Sequence, residues 1–272
     1  MTRTAAGAIV IAAATLSSAI LPGRSASYPA PVTGKLLGAI DLTKPFATRS
    51  AWRFTLTQGP GIAHTDEGPI PGTITFCLKR AGARACSHEI TELPEPVAPE
   101  DVSVLEPRYL YTARVVYPRG RAAAPLLLTR TGGSFGFDGS QPVFTQILAY
   151  RNASDRFERI FSQMTGRNRN QEIRFVDAGP LRGDVIVAEP AERSPWGYWM
   201  TVHRLETSYR YRQILRYRSA TRYGDENPLA VIDSEMPNIR LHLGLWHPGQ
   251  PLPLPAKGCA KPRLVKMELW CS

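Results

Sequence analysis

The chain predicts an all-β fold, a sandwich or barrel of many short antiparallel strands, and three observations carry that prediction. Apolar and polar residues alternate one by one in segment after segment, as in Trp52-Arg53-Phe54-Thr55-Leu56-Thr57. Period two sends successive side chains to opposite faces of a strand. Glycine and proline (22 and 24 residues) are frequent enough among the 272 to interrupt any long helix. No segment holds an apolar stripe at helical spacing for three turns. Short strands with turn signals between them are the pattern of a sandwich or barrel.

The first residues stand apart from that fold. Arg3 precedes an uncharged small or apolar run, Ala5 to Leu21, which Pro22-Gly23 breaks before Ser25-Ala26-Ser27. This is the layout of a secretory signal peptide, expected over residues 1–27. Its apolar core, about 17 residues diluted by Ala, Ser and Thr, sits at the lower limit for a membrane anchor. Removing it takes away Arg3 and Arg24 and no acid, so the formal charge falls from +10 to +8. A periplasmic or secreted basic protein is expected to meet anionic partners, acidic polysaccharide or envelope protein before nucleic acid. No later segment has the length and hydropathy of a membrane span.

Residues 28–50 read as an N-terminal arm with a weak apolar core from Leu36 to Leu42. Strands are expected over Trp52–Thr57 and Thr73–Leu78. Four cysteines behind an export signal, Cys77, Cys86, Cys259 and Cys271, predict two disulfides. A hairpin turning at Ala81-Gly82 sets Cys77 opposite Cys86 on a non-hydrogen-bonded pair, at the close Cα separation a disulfide accepts. Cys259–Cys271 is what remains. No C-x-x-C pair supports the rival zinc reading. The acidic, proline-rich stretch Leu93 to Glu100 is the expected boundary between a β subdomain over 28–93 and a main β domain over 101–272.

Beyond it, Tyr109, Tyr111, Ala113, Val115 and Tyr117 mark one face of a long strand, and Leu126-Leu127-Leu128 suits a buried one. Strands follow over 143–151, 157–164, 171–176, 184–188 and 198–204. A short apolar run ending in carboxylates predicts a further strand over 229–235, and alternation predicts others over 239–245 and through Val265, Met267, Leu269 and Cys271. QILAYRNA from Gln146 echoes QILRYRSA from Gln213, which raises a propeller-like array of repeated hairpins as the alternative fold. The run from Gln146 to Trp246, with GRNRNQE, GPLRGD, YGDENPLAVIDSEMPN and GLW, resembles a group of uncharacterised exported bacterial proteins. That resemblance implies export and brings no activity, cofactor or catalytic residue.

The most chemically loaded stretch is Ser208–Asn238. Tyr209, Tyr211, Leu215 and Tyr217 alternate with Arg210, Arg212, Arg216 and Arg218, giving one aromatic and one cationic face. Such a row sets guanidiniums along about 26 Å, and Arg pairs bidentately with carboxylate or phosphate. An anionic polymer or protein partner is the expected ligand, with Trp246 as aromatic support. The plainer reading is a solvated outer face with its charges relieved by acids such as Glu172, Asp184 or Glu189. Asp233 and Glu235, two apart on the expected strand, are the candidate carboxylates of a glycan- or ester-directed hydrolase. Carboxylates on one strand flank a sugar poorly, so salt-bridging competes with catalysis. A structural or assembly role in the envelope is the third class. No histidine pattern, serine elbow or phosphate loop is present, so neither metal nor cofactor is expected.

Overall fold

A computed structural model describes residues 34–63, 69–87, 105–119, 124–136, 139–166, 170–191, 197–222, 224–256 and 258–271. The expected signal peptide and the acidic stretch 93–100 lie outside them. Thr33–Ser272 form one compact unit.

Three antiparallel meanders follow one another along the chain and pack face to face. The first sheet is β1 (Lys35–Asp41), β2 (Trp52–Gln58) and β3 (Ile74–Arg80), with α1 (Thr43–Phe46) between β1 and β2. The second is β4 (Tyr109–Val116), β5 (Leu126–Gly132), β6 (Val143–Arg151) and β7 (Arg156–Thr165). The third is β8 (Glu172–Phe175), β9 (Val185–Pro190), β10 (Tyr198–Leu205) and β11 (Tyr211–Arg218). Two short helices, α2 (Val231–Ser234) and α3 (Met236–His242), come next, then the hairpin β12 (Arg263–Val265) and β13 (Glu268–Trp270). No sheet closes into a barrel; this is an all-β stack of the sandwich kind.

Alternation within each strand builds the layers. Phe54, Leu56, Phe76 and Leu78 of the first sheet meet Leu127, Leu148 and Phe157 of the second. The opposite face of the second sheet, through Leu126, Leu128, Ile147 and Phe161, packs on Ile173, Val185 and Val187 of the third. The far face of the third, Ile186, Tyr198, Met200 and Val202, is covered by Val231, Ile232 and Ile239 of the helices. Strands buried on both faces therefore read as unbroken apolar runs, Leu126-Leu127-Leu128 in β5 and Val185 to Ala188 in β9. Phe157 joins the first two layers, edge-on to Phe46 and Trp52 with ring centroids at 4.9 and 5.4 Å. Beside it Asp155 accepts from Ser50 (2.6 Å), Trp52 Nε1 (3.1 Å) and Tyr150 (2.7 Å).

Four expectations are corrected. The stretch 229–245 holds helices, not two strands. Pro237 enters the first turn of α3, Gly244 at φ 66° follows its end, and Ile239 and Leu243, four apart, face the same core. The Cys77–Cys86 disulfide forms (Cα–Cα 5.1 Å) and the turn falls at Ala81-Gly82, with Gly82 at φ 78°. Its return arm is no strand, however, and holds Leu78 only through the Ser87 N–H (2.7 Å); the ladder partner of β3 is β2. The final strand is a hairpin that turns at Lys266-Met267 and is clipped by Cys259–Cys271 (Cα–Cα 5.0 Å). The two echoed octapeptides are not equivalent: β6 is an inner strand paired with β5 and β7, whereas β11 is an edge strand paired with β10 and leads to a loop and α2.

Candidate functional site

The arginine strand is the first place to look, and a bulge divides it. Ladder pairing runs Thr201 with Arg216 and Val202 with Leu215, then jumps to His203 with Gln213. One extra residue reverses the facing of everything beyond it. Tyr211 accordingly packs on Phe161 between the second and third sheets, while Leu215 and Tyr217 pack on the helix side. The expected single cationic face becomes separate environments. Arg210 precedes the strand, and Arg212 pairs with Glu206 at 2.5 Å. Arg216 lies over the Trp199 ring at 4.7 Å, and Arg218 lines a cavity at the strand's end. Trp246, expected to support that face, is 3% exposed and donates its indole N–H to the Pro251 carbonyl at 3.0 Å.

The two carboxylates expected on one strand, Asp233 and Glu235, also part company. Asp233 on α2 receives both terminal nitrogens of Arg174 (2.5 and 3.1 Å), and Glu172 takes the Nε and Nη2 of the same guanidinium (2.7 and 2.9 Å). Glu235, at the joint between α2 and α3, is fully buried. Its Oε1 accepts from Ser219 (2.5 Å) and Thr221 (2.6 Å), and its Oε2 from Tyr217 (2.7 Å) and Asn238 (3.0 Å). Four donors fill the sites a carboxylate offers, so this buried charge is satisfied without a cation. Burial and the neighbouring Glu235 carboxylate push the Tyr217 phenol far up, which keeps it a donor.

Above this network lies a cavity of about 650 Å³ lined by Arg218, Arg222, Asp225, Lys266, Glu268 and Trp270, with Gly197, Ser219, Ala220 and Val265 completing the wall. It lies where the end of β11 and the loop after it meet the β12–β13 hairpin. Lys266 and Met267, the hairpin's two turn residues, take φ 51° and 71°. A turn with both central residues left-handed favours Asn-Gly. Lys and Met there carry local strain, and Lys266 lines the cavity. Among the described residues neither Arg222 nor Lys266 is in an ion pair.

Glu268 is 6% exposed. Burial, then the Glu235 carboxylate, push its carboxyl up, with Asp225 adding to the shift. Thr221 and Trp270 oppose the shift without reversing it. The Trp270 indole N–H is buried on the same wall and approaches Glu268 without closing a well-aligned hydrogen bond. Glu268, its carboxyl raised, and Asp225 add hydrogen-bonding carboxyl groups to the wall, while the guanidiniums and ammonium supply charge for an anion.

A larger concavity, about 780 Å³, lies on the outer face of the first sheet, over Ala39, Thr55 and Cys77. It is an open sheet face on which Asp41, Arg53 and Lys79 form one cross-strand row. No buried ionisable group stands on it, so the chemistry favours the smaller cavity. Among the described residues no cluster of His, Cys, Asp or Glu is placed to hold a metal ion.

No family model matches the chain, and no curated protein or solved structure does either.

Sequence reasoning reached Arg218 and Glu235 but missed Arg222, Lys266, Glu268 and Trp270. Alternation at Val265, Met267, Leu269 and Cys271 predicts one strand there, and a turn without Gly or Asn carries no sign that the chain folds back on the loop after β11.

Proposed function

We propose that this is an exported protein that binds an anionic ligand in the cavity at the end of β11. The observation carrying the reading is that Arg218, Arg222 and Lys266 converge on one cavity, two of them without an acidic partner among the described residues. Two closed disulfides support an oxidising compartment, periplasmic or extracellular. Among the described residues no helix is long and apolar enough to cross a membrane. Of the partners a basic exported protein meets, an anionic envelope polymer suits this cavity best, because it presents repeated negative groups to a concave cationic wall.

Retention on an anionic-polymer matrix, eluted with a salt gradient, tests the reading. Arg222→Ala and Lys266→Ala should each elute at clearly lower salt than the parent, and Arg210→Ala/Arg212→Ala should shift less. Equal elution of all four proteins would sink it.

A further inference from the structure

We propose that the cavity takes one acidic sugar unit, a hexuronate-type residue of an anionic polysaccharide, with its carboxylate on Arg222 and Lys266 and its hydroxyls on Asp225 and Glu268. This rests on the anion-binding reading above and adds the ligand class.

The lining is mixed in a way that discriminates between anions. A site for phosphate or sulfate alone loses affinity to every carboxyl beside it, yet Asp225 and Glu268 share this cavity with the three cations. A sugar acid uses both kinds of group. Its carboxylate meets Arg222 and Lys266. Its hydroxyls hydrogen-bond to Asp225 and Glu268, and its ring lies against the wall formed by Val265 and Trp270.

The Thr221 hydroxyl gives its one proton to Glu235 Oε1 at 2.6 Å, so its contact with Glu268 offsets only part of the cost of burial there. Glu268 is buried on the cavity wall, and no cation among the described residues pairs with it. An ionised carboxyl there faces the Glu235 and Asp225 carboxylates, opposed only in part by Thr221 and Trp270. The Trp270 indole N–H is buried beside Glu268 and closes no well-aligned hydrogen bond among the described residues.

Calorimetric titration of the full chain with galacturonate, trigalacturonate, glucose and inorganic phosphate, from about pH 5 to about pH 8, tests the proposal. The two uronates should bind and glucose should not. Their affinity should fall as pH rises through the raised titration of Glu268, because the carboxylate formed there repels the ligand's own. Glu268→Gln should retain binding with a flat pH profile, and Arg222→Ala should weaken it by about tenfold or more. Arg222-dependent phosphate binding without uronate binding would overturn the ligand class and leave the anion-binding reading standing. No Arg222-dependent binding of any anion would overturn both. Uronate binding that neither variant alters would place the ligand elsewhere and also overturn the proposal. The parent's own pH profile needs no variant: affinity constant or rising with pH counts against it.

Discussion

Glu235 and Glu268 are both buried, and they meet burial in opposite ways. Glu235 collects four donors from Tyr217, Ser219, Thr221 and Asn238, so its charge is solvated by the protein itself. Glu268 finds no comparable set, and burial raises its pKa above that of the unfolded chain. The folded protein therefore holds this proton more tightly than the unfolded one. The resulting stabilisation is complete below the unfolded-state pKa and is lost as pH rises through the folded-state value. Glu268→Gln, neutral at every pH, should gain thermal stability on the parent progressively as pH rises from acid to neutral. Unfolding midpoints of the two proteins across that range check it, and a constant difference would refute the assignment. Asp184, also raised by burial, and Asp155, lowered by hydrogen bonds from Ser50 and Tyr150, are common to both proteins and cancel in the difference.

At the scale of elements, the β12–β13 hairpin is small. Its ladder joins three residues of each strand, and the Cys259–Cys271 disulfide spans 12 positions around it. Closing a loop of that size stabilises a fold by about 2–4 kcal/mol in the chain-entropy picture. Cys259→Ser/Cys271→Ser should cost that much in denaturant unfolding and weaken retention on the anionic matrix, because Lys266, Glu268 and Trp270 all ride on this hairpin. The corresponding Cys77–Cys86 pair of serines should leave retention unchanged, since that bridge lies on the first sheet. Strands were legible wherever burial was one-sided or total. Trp52 to Thr57 alternates because one face of β2 meets the core, and Val185 to Ala188 does not because both faces of β9 do. Ile239 to Leu245 misled because apolar residues at 239 and 243 satisfy period two and helical spacing at once, and only Pro237 and Gly244 mark the difference. The bulge in β11 left no composition signal. Gln213 and Ile214 suit a regular strand, so the division of the arginine row depends on which core each flank finds.

For the molecule as a whole, the layers follow the order of the chain. The first sheet packs on the second, the second on the third, and the third on the helices. A chain ending at residue 230 keeps every strand of the three sheets but leaves Ile186, Tyr198, Met200 and Val202 uncovered. That truncation should bind a hydrophobic dye and scatter light where the full chain does neither; a dye-silent, monomeric product would contradict the layered account. Stacking in chain order also fixes a timetable. As the polypeptide emerges N-terminus first, each sheet can complete its hydrogen bonds from neighbouring strands and then settle on a surface that already exists, with no strand waiting for a distant mate. The cavity joins the loop after β11 to a hairpin some forty positions later, roughly the span from Arg222 to Lys266. It therefore forms only after the β12–β13 hairpin has folded back on the loop after β11, so the proposed binding doubles as a readout of that late closure.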